Sequence, residues 1–327
     1  MDDVRDQRLA GVPQVRLGVL SERDLDDLHE ATLRVLEQTG VWVEDAEALD
    51  VYADAGCAVD RDARSVRIPP GVVDAAIASA PAEWVQCGRD PARDVLLGGD
   101  RVTFTNFCEG LFMIDARSGA RRPATTQDVE DTARLSDRLG MIDSYMVAVT
   151  ASDAPTATAS LHGLRAAFRG TSKHIVAGAA NAFESEASID MAAAIVGGRD
   201  RLRERPIIEF GGCPVSPLRL PRELTEVAIT AARNGIPFGA CSMVMAGASA
   251  PVTLAGALVT HNVEVLATLV LVQSVERGSP FRASSSSTGM DLRVGTCPVG
   301  SPECAMLNVG VAQLARRYNL PSLVAGL

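Results

Sequence analysis

Hydrophobic and polar positions fall into two regimes along the chain. Up to about residue 125 the pattern is mixed. In SERDLDDLHEATLRVLEQTG, Leu25, Leu28, Leu33 and Leu36 make one apolar helical face. Ser21 stands where a helix is capped, acidic residues fill the first turn, and Gly40 stands where a helix stops. A second helix is predicted over about 44–55, ending at Gly56. SVRIPPGVVDAAIASAP reads as a short strand followed by a helix that starts on proline. Three strands with glycine-rich turns are expected between residues 84 and 114. VTFTNFCEGLFMIDARSGARRPAT reads as a hairpin turning at RSG, with Glu109 near its tip.

From Thr126 onward strand and helix alternate. The apolar runs are SYMVAVTA from Ser144, KHIVAGAA from Lys173, RPIIEFGGCP from Arg205, IPFGACSMVMAG from Ile236, PFRASSSSTG from Pro280 and PSLVAGL from Pro321. Helical segments follow the first five, and the starts lie roughly 30 to 45 residues apart, the size of a βα unit. No GxGxxG follows the first strand, and the spacing shows no reversal. These features favour an α/β fold of the (β/α)8 TIM-barrel type over a doubly wound sheet. The expected division is an N-terminal α+β extension over 1–125 and a βα-repeat barrel portion over 126–327. Six strands are two short of a closed barrel. Either an early N-terminal strand closes it, or the polypeptide is a fragment, incomplete at its C-terminus.

GASAPVTLAGALVTHNVEVLATLVLVQ, Gly247 to Gln273, is nearly apolar enough to span a membrane. His261, Asn262 and Glu264 in its middle argue against that, since the carboxylate alone costs about 2.5 to 3.5 kcal/mol in lipid. It is therefore expected to be a buried helix after the fourth strand, about 39 Å long if it runs from Pro251 to Glu276. Such a length would leave it broken or overhanging the mouth. Thr253, Ala257, Thr260, Glu264 and Thr268 form one helical stripe. That stripe faces water or a subunit partner, or else Glu264 lines a ligand cavity, roughly 20 Å from the mouth if the helix is unbroken.

Composition narrows the picture. Apolar residues make up 47% of the chain and aromatics only 4%, so the core must be aliphatic, as in parallel-sheet proteins. The net charge of -10 repels phosphate backbones and argues against nucleic-acid binding. Lys173 is the only lysine. Seven cysteines, an odd number without paired spacing, fit free thiols in a reducing cytosol. The charged opening segment lacks an apolar signal core, so a cytoplasmic location is expected. Apolar helices make homo-oligomerisation an expectation as well.

The strand ends, where barrel sites form, are small and nearly neutral: Thr150 to Asp153, Gly178 to Asn181, Gly211 to Pro214, Ser242 to Met245 and Ser284 to Asp291. None carries a cation cluster for phosphate or a pair of carboxylates. A roomy, mildly polar pocket follows, suited to an alkylated cation or an apolar cofactor surface. Cys213, Cys241, Cys297 and Cys304 offer a zinc alternative, without a CxxC or HExxH to support it. His29 and His162 read as helix-surface residues and His174 as opening a strand at the far end, so no Ser-His-Asp triad assembles. In SSSSTGMDLRVGTCPVGSPECAML, Asp291 is either a loop brace or a ligand contact. Ser301, Pro302 and Glu303 start a helix.

APVTLAGALVTHNVEVLA, GMDLRVG, GSPECAML and QLARRYNLPS, with RSGARRPATTQDVEDTARLSD and LHEATLRVLEQTGVWVED nearer the start, resemble the trimethylamine methyltransferase (MttB-like) family. The likeness runs from about Leu20 to the last residue. It implies a (β/α)8 barrel that moves a methyl group from a methylated amine to the Co(I) of a separate corrinoid (cobalamin) protein. The chain contains no pyrrolysine, so the resemblance points to the quaternary-amine type, such as glycine betaine. The family is also usually longer than this chain. A quaternary ammonium leaves as a neutral amine and demands no general acid, so no catalytic residue is assigned. Candidate contacts to the cation are Phe107, Glu109, Phe210, Phe281, Asp291 and Glu264. Ser242, Met245, Ser285 and Ser287 are the candidates to meet the corrinoid, which would dock over the mouth. The competing readings are a non-catalytic truncated barrel that binds a ligand or partner or oligomerises, and a zinc-dependent methyltransferase.

Overall fold

All six apolar runs of the second regime become strands of one sheet. They are β1 (Ser144–Met146), β2 (His174–Ala177), β3 (Ile208–Gly212), β4 (Phe238–Ser242), β5 (Phe281–Ser285) and β6 (Ser322–Val324). All neighbours pair in parallel and lie side by side in chain order. An order without reversal lets same-handed crossovers stack their helices on one face, which is the wall of a barrel and not a doubly wound sheet. The structure is a computed structural model that describes residues 17–325. Most of the charged opening segment, and the last two residues of the PSLVAGL run, lie outside the described residues.

The wall has six strands among the described residues, not eight. The sheet of Val41–Val43, Ala58–Asp60, Ser65–Arg67 and Arg219–Leu220 stands apart from it. An early segment does extend the wall, however. Residues 104–110 run along the free edge of β1, through parallel bridges from Thr105 to Ser144 and from Gly110 to Val149. The Asn106 carboxamide acts as a backbone surrogate there, accepting from Met146 N at 3.1 Å and donating to Met146 O at 2.7 Å. The layer before residue 126 is therefore tied to the wall here, and it also pairs, through Val41–Val43, with Arg219–Leu220 in the segment after β3.

Local rules hold where the sequence signalled them. Ser21 and Asp24 form a capping box at the head of helix Glu22–Gln38. Gly40 follows that helix with φ 75, and a Cβ there would lie 2.1 Å from the Val66 carbonyl oxygen, so only glycine fits. The second helix is Ala46–Asp54, shorter than read from the pattern. The hairpin is Phe112–Ile114 with Arg121–Pro123. Glu109 lies before its first strand rather than at its tip.

The long helix, Leu254–Val275, is unbroken, and Thr253 caps it by accepting from Gly256 N. It packs against β4 and β5, and also against helices Glu22–Gln38, Ala46–Asp54, Pro70–Ser79, Arg222–Asn234 and Pro302–Arg317. Enclosed on every side, it needs no polar face. Both readings of its stripe are corrected by this enclosure. Thr253 is exposed, but Ala257, Thr260, Glu264 and Thr268 are buried within the chain and face neither water nor a subunit partner. The polar residues in its middle each tie the helix to a different element. His261 Nε2 donates to Ser284 O at 3.1 Å, and burial lowers its pKa to about 4, keeping the ring neutral. Asn262 donates to Thr32 Oγ1 at 3.0 Å and to the Tyr318 hydroxyl at 2.9 Å.

Glu264 answers why such an oily helix carries a carboxylate. It is 0% exposed and accepts from Ser242 Oγ at 2.6 Å, Ser216 Oγ at 2.9 Å and Leu218 N at 2.9 Å. It therefore anchors the end of β4 and the loop after β3. Burial pushes its pKa up against the pull of those three bonds. A raised carboxyl contributes stability that is complete below the unfolded value of 4.5 and is lost as pH rises through the folded one. Glu264→Ala, which orphans the three donors, should cost about 3 kcal/mol in urea denaturation. Glu264→Gln should cost less and should flatten the loss of stability between weakly acidic and neutral pH. Equal costs for the two variants would contradict the anchoring role.

Candidate active site

Side chains alternate across a strand, so the register assigns each wall residue to a face. Ile175, Ile208, Phe210, Phe238 and Phe281 point outward into the helix-covered core. His174, Glu209, Gly211, Gly239, Cys241, Arg282 and Ser284 share the inner face. At its lower end lies an ion-pair floor. Glu209 pairs with Arg282, accepts from Gln86 Nε2 at 3.0 Å and lies 3.4 Å from His174 Nε2. The other nitrogen of His174 donates to the Cys87 carbonyl at 3.1 Å. Burial alone would raise the Glu209 carboxyl, but Arg282, His174 and Gln86 outweigh it and hold it below its usual range. The Arg282 side chain reaches from β5 to Glu209 on β3 across Gly239, where an added Cβ would lie 3.5 Å from Arg282 Nε. The absence of a side chain at Gly239 lets the pair close over β4.

Above the floor the wall is nearly bare. Gly211 and Gly239 pair in register and project no side chains. Ser284 Oγ is buried there without a hydrogen-bond partner. The rim carries Cys108, Glu109, Cys213 and Cys241. Glu109 has φ 61, and its N–H donates to Val147 O at 3.1 Å. Its carboxylate lies over Gly178, just beyond β2, 3.4 Å from where a Cβ would stand. The side chain is exposed, so its charge faces the mouth. A groove of about 380 Å³ opens at the opposite end, lined by Trp84, Arg203, Glu276 and Ser279. It lies at the N-terminal ends of the strands, where Arg203 pairs with Glu276 at 3.5 Å, and takes no part in the mouth.

The sequence-predicted site residues divide accordingly. Glu109 is at the rim, and Phe107, 84% exposed, is on the same edge segment. Phe210 and Phe281 do not join them. Both are 0% exposed on the outer face, so strand parity removes them from the mouth. Glu264 is the internal anchor described above. Asp291 braces its own loop, accepting from Arg293 N at 3.0 Å and Arg293 NH2 at 2.8 Å, and those bonds lower its pKa. Ser242 points outward to Glu264. Ser285 donates to Ser287 Oγ at 3.0 Å, and Ser287 in turn donates to Ser242 O at 3.4 Å, so all three serines are internally engaged. Met245 is half-buried near the rim, with the Cys297 thiol 3.1 Å from its sulfur. Of the thiols considered for zinc, Cys213 and Cys241 are neighbours at the rim, but Cys297 sits at Met245 and Cys304 donates to Ser287 O at 3.7 Å. Among the described residues no group of three or more His, Cys, Asp or Glu is placed to hold a metal.

Sequence reasoning passed over Cys108, Glu209 and Arg282. The last two had a signal. Each is a lone charge inside an apolar strand run, IIEF and PFRAS, and buried charges must find each other.

Residues 6–327 match the family model described as trimethylamine methyltransferase (MTTB). The chain belongs to the trimethylamine methyltransferase family. It is 43% identical over 329 residues to trimethylamine methyltransferase MttB of Desulfitobacterium hafniense, covering 100% of this chain and 66% of that protein. MttB of Methanosarcina thermophila is 38% identical over 317 residues, covering 95% and 66%. The glycine betaine methyltransferase of Desulfitobacterium hafniense is 32% identical over 312 residues, covering 95% and 64%. The chain thus spans about two thirds of the length of these family members, 64 to 66%. The crystal structure of Methanosarcina barkeri monomethylamine methyltransferase (MtmB) aligns with TM-score 0.53 over 97% of this chain and 68% of that one. At 11% identity this is a likeness of fold alone. The family read from the motifs is borne out.

Proposed function

We propose that this chain forms the substrate-holding wall of an amine methyltransferase, presenting an N-methylated ammonium ion at the mouth to a partner protein. The observation that carries this reading is the Glu109 carboxylate, exposed at the rim of a parallel barrel wall in a member of this family. A quaternary ammonium offers no N–H donor, so it is held by charge and by apolar contact. Glu109 supplies the charge, Phe107 the aromatic face, and Gly178, Gly211 and Gly239 the room. Orientation is the main task left to the protein, because a quaternary ammonium leaves as a neutral amine without a proton.

A corrinoid carried by the partner would supply the Co(I) nucleophile that takes the methyl group. The residues present fit such a visitor. Val215, Met243, Val252, Leu292 and Val299 are exposed on the loops after β3, β4 and β5, an apolar surface for a partner and its macrocycle. These exposed side chains, not the engaged serines, would meet it. The relatives' names put both trimethylamine and glycine betaine among the candidate amines.

Calorimetric titration with trimethylamine hydrochloride, tetramethylammonium and glycine betaine tests the reading. The protein should bind at least one of them, and Glu109→Gln should weaken that binding about 10-fold, or about 1.4 kcal/mol. Equal affinity in the variant would remove Glu109 from the site. No binding of any of the three would favour a partner-binding or oligomerising role instead.

A further inference from the structure

We propose that Cys213 and Cys241 are a site of reversible oxidative modification, closing into a disulfide across β3 and β4 when the protein meets a low-molecular-weight disulfide. Register carries the argument. Gly211 pairs with Gly239 and Gly212 with Ala240, so continuing the ladder by one residue sets Cys213 beside Cys241. Alternation turns both thiols to the inner face, above the bare Gly211–Gly239 pair, with no side chain between them. Adjacent strands lie about 4.8 Å apart, within the roughly 4.4 to 6.8 Å over which two Cα atoms accept a disulfide.

The local chemistry suits exchange. The two side chains interact directly. That interaction pushes the Cys213 thiol up and, with the nearby Arg282 guanidinium, draws the Cys241 thiol down, so a shared proton leaves thiolate character on Cys241. Cys213 is exposed and gives a reagent access. Burial raises Cys57, Cys87 and Cys108 each to about 11, which makes them poor competitors. Cys297 is exposed and stands beside a thioether, with no second thiol to resolve an adduct.

The step balances without any further reactant. A thiolate of the pair attacks the small disulfide, forming a mixed disulfide and releasing one small thiolate. The second cysteine gives up its proton and attacks the mixed disulfide, releasing the other. The pair is oxidised by two electrons, and the small disulfide is reduced to two thiols.

Incubation with oxidised glutathione, alkylation under denaturing conditions and peptide mass mapping without reduction test the proposal. The expected product links the Cys213 and Cys241 peptides and is reversed by dithiothreitol, while Cys297 carries glutathione and Cys108 is alkylated. In Cys241→Ser the Cys213 peptide should accumulate as its glutathione adduct, a readout that does not depend on closure. A stable glutathione adduct on Cys213 beside an alkylated Cys241 in the parent protein would overturn the proposal. So would a Cys108–Cys213 link, or two unmodified thiols.

Discussion

Replacing Glu209 by alanine is expected to destabilise the protein by about 3 to 5 kcal/mol, the cost of leaving a buried guanidinium without its partner. Arg282 is almost as buried as Glu209 and sits on a neighbouring part of the inner face. Without the carboxylate it would have no anion to meet, and Gln86 Nε2 would lose its acceptor. The double variant Glu209→Ala/Arg282→Met should recover much of the loss, because apolar replacement of a whole buried pair is often neutral. The pH dependence has a definite sign. Glu209 is held below its usual value, so its contribution is present above the unfolded value of 4.5 and is lost as pH falls through the folded one. The wild-type protein should lose stability in acid, and the double variant should lose less. Urea midpoints across pH measure both effects. A Glu209→Ala cost below about 1 kcal/mol would mean that water reaches the floor.

Lys173→Met should cost about 3 kcal/mol, although methionine nearly preserves the shape. Lys173 is 1% exposed, and its ammonium donates to the carbonyls of Ser136 at 2.5 Å, Leu139 at 2.9 Å and Ile142 at 2.6 Å. These carbonyls close the C-terminal end of helix Thr126–Arg138 and the turn leading into β1. A cation there satisfies acceptors the helix leaves unpaired and complements its dipole. Bonds from a charged donor contribute about 1.5 to 3 kcal/mol each, reduced by the cost of burying the charge. A fall in urea midpoint with an unchanged slope is the expected readout. A midpoint within error of the wild type would mean that water replaces the ammonium.

The strands were legible because each barrel strand is an apolar run closed by small residues, and the caps were legible because Ser21 and Ser301 act within three residues of themselves. Other features depend on what lies across space. Phe210 and Glu209 are neighbours in sequence but sit on opposite faces, so proximity to a strand end said nothing about the mouth until register fixed the parity. The stripe of the long helix misled because a polar stripe implies water only when one side of a helix is free. Residues 104–110 extend the wall through isolated bridges and the side chain of Asn106, which leave no periodic trace. Glu109 was recognisable as a charge in an apolar stretch. Its position on the rim came from that pairing with the edge of β1.

The most direct test of the central claim follows the cobalt spectrum when the protein is mixed with a Co(I) corrinoid protein and trimethylamine or glycine betaine. The account predicts amine-dependent loss of the Co(I) absorbance, about 10-fold slower for Glu109→Gln at subsaturating amine, in line with its weakened binding. An unchanged spectrum with every amine, or a Glu109→Gln rate equal to the wild type, would contradict it.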